Sequence, residues 1–393
     1  MSTEFSLEAV RAATPGVDNV IHLNNAGSAL PPSVVTDTVV DYLRREEAIG
    51  GYETADERDV QLEAVYDSLG ALVNAPREHM AVIENATRAW DQAVYAYPFK
   101  PGDRVVTCRA EYSSNVLSLL QLRGRFGIEI VLIDDDAHGQ IDLDQLDAEL
   151  AKGAAMMAMT HIPTSGGLVN PAEAVGELCE RHGVFFVLDA CQSAGQVPLD
   201  VAALKCDVLS GTGRKYLRGP RGTGFLYAGE RALEILDPPF IDLHSADWTA
   251  PYDYEWRPDA RRFENWETYF AGKVGLGAAV DYALELGIET TSARIVELGA
   301  RLRAGLESVD RAAVHDKGAM RGGIVTFTVD GVDADSIKAQ LQAEGINTST
   351  STPERARFDL DARGLPTVVR ASVHYYNSEA EIDAAVAAVA EVR

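Results

Sequence analysis

Between residues 104 and 227 short apolar runs alternate with stretches of helical periodicity. Residues 104–107, 129–133, 155–160, 184–188, 208–210 and 224–227 have the length and apolar content of strands. Residues 114–126, 143–151 and 171–182, which lie between them, carry apolar positions at helical spacing. The run Val184-Phe185-Phe186-Val187-Leu188 has no polar alternation. Such a strand is buried on both faces, as in a parallel sheet covered by helices. Repeated strand–helix–strand units therefore predict an α/β fold with the sheet between helical layers.

The texture changes near Ala271. Helical patterns at 273–286 and 291–306 precede an alternating strand at 323–329, a helix at 334–343, a strand at 368–373 and a last helix at 379–392. This predicts a smaller α+β domain over residues 271–393, a large α/β domain over 21–270, and an N-terminal arm, 1–20, packed on the small domain. The stretch 237–262, rich in Pro, Asp and aromatic residues, is too long for a simple connector and is expected to be functional or interfacial.

Composition narrows the partners. The 393 residues, 46% hydrophobic and 24% charged, suit a globular core and not a disordered chain. A formal charge of −25 repels phosphate backbones and anionic lipid heads, which argues against nucleic-acid and membrane partners. No stretch approaches the ~20 apolar residues of a membrane span. The first 16 residues carry acids and no apolar core, so no signal peptide is expected. Cys108, Cys179, Cys191 and Cys206 lack CxxC spacing, which reads as reduced thiols in a cytoplasmic protein and not as a metal or disulfide framework.

In open α/β sheets ligands gather beyond the carboxyl ends of the strands. Asp189 follows the run 184–188, with Gln192 three residues later, and Lys215 follows the next strand in Ser210-Gly211-Thr212-Gly213-Arg214-Lys215-Tyr216. A strand-end carboxylate and a lysine after the following strand are what pyridoxal phosphate requires. The amine forms an imine with the cofactor aldehyde, and the carboxylate keeps the pyridine nitrogen protonated so that the ring accepts electrons. Neighbouring Arg214 would lower the lysine pKa by charge repulsion. By themselves the same residues also fit a turn or cap aspartate and a surface lysine. The segment Gly219-Pro220-Arg221-Gly222-Thr223-Gly224 leads into a strand and not a helix, so it is no nucleotide loop.

From His22-Leu23-Asn24-Asn25-Ala26-Gly27 to the final helix, the chain resembles the class V aminotransferase family of fold-type-I enzymes, which includes cysteine desulfurases, epimerase-like proteins and C–S lyases. The most specific pieces are Val187-Leu188-Asp189-Ala190-Cys191-Gln192-Ser193 and Lys215, 26 residues after Asp189. The resemblance implies a mostly parallel seven-stranded sheet between helices, with a smaller α+β C-terminal domain. It implies that Lys215 is the Schiff-base lysine and general acid/base, that Asp189 pairs with the pyridine nitrogen, and that Gln192 approaches the phenolic oxygen. Thr212, Ala86 and Thr87 would serve the phosphate, the last two at a helix start where the dipole favours an anion; Thr87 is otherwise an N-cap. Tyr112 stands where desulfurases carry a ring-stacking histidine. Thr164, in His161-Ile162-Pro163-Thr164-Ser165-Gly166-Gly167, resembles the epimerase and lyase branch and would donate to the phenolic oxygen. Arg370, in Val369-Arg370-Ala371-Ser372, is the implied substrate-carboxylate clamp, with Asn25 and Ala26 nearby. Trp266 and Thr268 fall in the segment that crosses the family's dimer interface, which implies a homodimer; no metal is implied.

Three outcomes at an amino-acid substrate then compete: elimination of a β-substituent, transamination and epimerisation. Desulfurases of the family add a mobile cysteine in the small domain, and this sequence has none after Cys206. Cys191 reads as packing. The favoured reaction is therefore β-elimination on an S-substituted cysteine or sulfoxide, with aminotransferase or epimerase as the alternative. A non-catalytic binding protein is the remote one.

Overall fold

The computed structural model describes residues 5–393. Seven strands form the main sheet in the order Met80–Ile83, Gly224–Ala228, Val208–Thr212, Phe185–Asp189, Met156–Thr160, Arg104–Cys108 and Glu129–Ile133. Gly224–Ala228 is antiparallel to both of its neighbours, and the other six strands run in one direction. The sheet is mostly parallel, as the apolar runs predict. In the central strand, Phe185 and Val187 enter the apolar core on one face while Phe186 and Leu188 enter the core on the other. That is the side-chain alternation of a strand applied to a run with no polar residue. Each such side chain contributes ~1.5–3 kcal/mol on burial.

Helices Ser113–Phe126, Leu143–Leu150 and Ala172–His182 connect the parallel strands. Two of them stop where a glycine takes a left-handed conformation, Gly127 at φ 70° and Gly183 at φ 67°. Leu143–Leu150 starts at Asp142, whose carboxylate accepts from the Gln145 amide at 2.9 Å. The edge strand Met80–Ile83 and helices Ser33–Ile49, Asp59–Val73 and Ala86–Ala96 have no counterpart in the periodicity reading. The four-residue strand is wholly buried, and an apolar run that short does not distinguish strand from helix.

A second sheet, antiparallel throughout, has the order Ala312–Val314, Ile324–Val329, Val368–Ser372, Ser349–Ser351. The alternation predicted at 323–329 is not an inside–outside alternation: only Thr328 of Ile324–Val329 is partly exposed. Near the N-terminus, Arg11 donates to Glu381 Oε1 at 2.8 Å and to the Tyr376 carbonyl at 3.1 Å. The stretch 237–262 contains a hairpin, Ala246–Ala250 with Asp253–Trp256, whose Trp248 and Tyr252 are 75% and 98% exposed. Among the described residues no helix is long and apolar enough to cross a membrane.

Six strands thus deliver their carboxyl ends to one edge of the main sheet. Ile83, Cys108, Ile133, Thr160, Asp189 and Thr212 end there. The segments that continue from them carry Ala86, Thr87, Tyr112, Thr164 and Lys215.

Candidate active site

Lys215 is 6% exposed and lies on the wall shared by two adjoining cavities of about 220 Å³ each. Burial pushes its amine below the usual lysine value, and neighbouring Arg214 acts in the same direction. Asp189 and the Cys191 thiol oppose that shift. A wider groove of about 680 Å³ opens at Arg104 and Ala155, at the amino ends of the strands, where an open α/β sheet does not place its ligand.

The first cavity is lined by Ala86, Thr87, Tyr112, Asp189, Thr212 and Lys215 among others. Ala86 and Thr87 begin the eleven-residue helix Ala86–Ala96, whose N-cap is Asn85: its side chain accepts from the Arg88 amide at 3.0 Å. Thr87 is therefore not the cap, and its hydroxyl is released from that duty. The first N–H groups of a helix have no intrahelical partner, and the helix dipole is positive there. Thr212 donates to the Thr223 carbonyl at 3.2 Å, which leaves its oxygen lone pairs to accept.

Asp189 is buried, and burial pushes its carboxyl up from the usual range. Two donors hold it: Asn115 Nδ2 to Oδ2 and the Cys191 amide to Oδ1, both at 2.8 Å. Asn115 also donates to Glu111 Oε1 at 2.9 Å, and Glu111 accepts from the Tyr112 amide at 2.8 Å and the Thr160 amide at 2.9 Å. Burial, with nearby Asp189, pushes Glu111 up to about 7. A second carboxyl group thus stands behind Asp189, linked to it by one amide. Residues 111–115 read as Glu-Tyr-Ser-Ser-Asn, and the i, i+4 spacing of Glu111 and Asn115 is the only signal that could have exposed the pair.

The second cavity is lined by Ala26, Gly27, Thr164, Ser349, Arg355 and Arg370 among others. Arg370 is 8% exposed and has no carboxylate partner among the described residues. It donates to Thr164 Oγ1 at 2.7 Å, the Thr164 carbonyl at 3.2 Å and Asn24 Oδ1 at 3.2 Å, while its buried Nε has no partner. Burial lowers its guanidinium to about 10. Gln192 lies behind this wall, donating to the Ala26 carbonyl at 3.1 Å and to Thr164 Oγ1 at 3.2 Å, with its buried Oε1 unpaired.

Four expected positions line neither cavity: Gln192, which stands behind the wall, and Asn25, Trp266 and Thr268. Asn25 is fully buried, with its amide nitrogen spent on the His22 and Ser372 carbonyls at 3.0 and 2.7 Å and its oxygen on the Tyr376 hydroxyl. The neighbouring Asn24, which touches Arg370, is the residue the sequence reading missed. Trp266, 55% exposed, and Thr268 line neither cavity of this chain. Cys191, read as packing, lines the first cavity beside Lys215. His161 is buried off both cavities, and burial lowers it to about 4.

The cavities fit a pyridoxal phosphate group: an amine with a lowered pKa, a buried carboxylate, and a helix start with hydroxyls all face one space, and unpaired Gln192 Oε1 stands behind it. Fold and site define a fold-type-I enzyme dependent on that cofactor. The chain belongs to the class-V aminotransferase family, whose family model matches residues 21–385. It is 30% identical over 408 residues to a probable cysteine desulfurase of Halobacterium salinarum, covering 99% of this chain and 97% of that one. Among solved structures it superposes on a cysteine desulfurase of Thermococcus onnurineus with a TM-score of 0.93, at 25% identity over 100% of this chain and 99% of that one. It shares the fold of the cystine C–S lyase C-DES, with a TM-score of 0.87 and 23% identity, over 96% of this chain and 99% of that one.

Proposed function

We propose that this enzyme cleaves the C–S bond of an S-substituted L-cysteine or its sulfoxide by β-elimination. The observation that carries the reading is the position of the Lys215 amine, between a wall bearing Asp189, Thr87 and Thr212 and a second cavity bearing Arg370 but no cysteine. Pyridoxal phosphate, when bound, supplies an aldehyde for the amine and a ring that accepts the electron pair left at Cα. Lys215 would hold it covalently and then move the proton at Cα, a task that its lowered pKa favours. Asp189 would stand against the ring nitrogen, and Ala86, Thr87 and Thr212 would hold the phosphate. Tyr112, on the wall common to both cavities, would flank the ring, and Gln192 and Thr164 would serve its oxygen. Arg370 would bind the substrate carboxylate through its planar fork. Thr164 accepts from one arm of that fork, Nη1, and Asn24 from the other, Nη2, which orients it.

In the reaction the Cα–H and Cβ–S bonds break and the sulfur leaves with the C–S electron pair. Water then converts the released 2-aminoacrylate to pyruvate and ammonia. Sulfur transfer to an enzyme cysteine is disfavoured because Cys108, Cys179 and Cys206 are buried and Cys191 lies on the other cavity. Four unpaired cysteines suit a reducing cytoplasm. A homodimer is proposed, with exposed Trp266, Trp248 and Tyr252 as candidates for its covered surface.

The test is incubation of the holoenzyme with S-alkyl-L-cysteines, their sulfoxides and L-cysteine. Pyruvate and ammonia in equal amounts support elimination. Alanine with persulfide from cysteine, conversion to the pyridoxamine form, or solvent deuterium at Cα without net product would each overturn it.

A further inference from the structure

The second cavity has a charge of its own. The chain as a whole carries 60 acidic residues against 35 lysines and arginines. Yet the wall of this cavity bears Arg214, Lys215, Arg355 and Arg370 and not one aspartate or glutamate. None of the three arginines has a carboxylate partner among the described residues, whereas most arginines of the chain are ion-paired. A cationic pocket in an acidic protein focuses the field on one small volume and draws in anions.

Three of the four cations already have work. Lys215 and Arg370 belong to the proposed chemistry, and Arg214 borders both cavities with Nη1 donating to the Gly27 carbonyl. Arg355 has none, and it touches only the second cavity. Its position follows from the ladder. Ser349 pairs across the antiparallel strands with Arg370, and Ser351, two residues on, shares its face. The chain then turns through Pro353–Arg355, closed by the Arg355 amide on the Thr352 carbonyl at 3.1 Å, and the exposed Arg355 joins the lining of the same cavity. The lining thus holds one buried guanidinium, Arg370, paired across the ladder with Ser349, one exposed guanidinium, Arg355, and the hydroxyls of Ser349, Thr350 and Ser351.

We infer that the substrate carries a second anionic group, a carboxylate, sulfinate or sulfonate on its sulfur substituent, which Arg355 selects. The inference rests on the elimination reading, in which Arg370 takes the α-carboxylate. It makes Arg355 a specificity-determining residue.

The isosteric pair S-carboxymethyl-L-cysteine and S-carbamoylmethyl-L-cysteine separates charge from shape. Each is given to the holoenzyme, and two quantities are read: kcat/KM from pyruvate, and apparent Kd from the change in the cofactor absorbance. The acid is expected to exceed the amide about tenfold in both, corresponding to ~1.4 kcal/mol, and more at low ionic strength. In Arg355→Gln the ratio falls to about one, and in Arg355→Glu it inverts. Equal values for acid and amide in the wild type, with pyruvate formed from both, overturn the inference and leave elimination standing. A tenfold preference in Kd that Arg355→Gln abolishes, with no pyruvate from either compound, upholds the charge selection and overturns the elimination reading.

Discussion

Asn115 is one amide between two buried carboxyl groups, and replacing it tests whether the proposed role of Asp189 depends on that support. Asn115→Leu keeps the approximate shape and removes the 2.8 Å bond to Asp189 Oδ2 and the 2.9 Å bond to Glu111 Oε1. A hydrogen bond to a charged acceptor is worth ~1.5–3 kcal/mol, and an unreplaced one leaves that much destabilisation of the ionised form. At ~1.36 kcal/mol per pKa unit, Asp189 rises by ~1–2 units beyond the upward push that burial already gives it. The Cys191 amide on Oδ1 remains, so the carboxylate is weakened and not abolished. The assay is cofactor titration of the stripped protein, followed by the pH dependence of turnover and of the holoenzyme spectrum. Cofactor affinity is expected to fall ~10–100-fold near neutral pH, and the acidic limb of the pH profile to move upward by ~1–2 units. Unchanged affinity together with an unmoved acidic limb in a folded variant would refute the reasoning, because Asp189 would then owe nothing to Asn115.

Lys215→Ala is expected to abolish turnover and the absorbance of covalently held cofactor while the protein stays folded, as spectroscopy and circular dichroism will show. In the cofactor-free protein, the folded-state pKa of Lys215 lies below the unfolded value of 10.5, so the unfolded chain binds the extra proton between the two. Stability therefore rises with pH across that window, and denaturant titrations should show this slope in the wild type and its reduction in Lys215→Met. Gly27→Ala would set a Cβ 2.6 Å from Asn24 Oδ1, which Arg370 uses; KM is expected to rise several-fold with kcat nearly unchanged, and an unchanged KM would remove Asn24 from the account. Arg218 is fully buried, with bonds to the Leu30 carbonyl at 2.8 Å, Tyr375 hydroxyl at 3.1 Å and Thr14 Oγ1 at 2.6 Å; Arg218→Ala should cost ~3 kcal/mol or more in denaturant unfolding.

The sheet was legible because its central run is apolar at every position, and only a two-faced burial explains such a run. Asp189 and Lys215 stand at a strand end and at the next strand's exit, but position alone also fitted a cap aspartate and a surface lysine; the resemblance carried by residues 187–193 and Lys215 singled them out. Glu111 and Asn115 were not legible. Nothing in a single Glu or Asn tells whether it will face solvent or the back of another carboxylate, since that depends on strands 104–108, 156–160 and 185–189 lying side by side. Asn24 and Asn25 are adjacent and chemically identical, and only the backbone path at the Ser372 carbonyl decides which one meets Arg370.

Local order in the chain therefore determined the layered fold and the type of chemistry, because burial periodicity and reactive side chains are written residue by residue. Which groups share a cavity was decided only in three dimensions. Arg355 and Lys215 are 140 positions apart, and the charge of the space between them is a sum over walls that no local pattern contains.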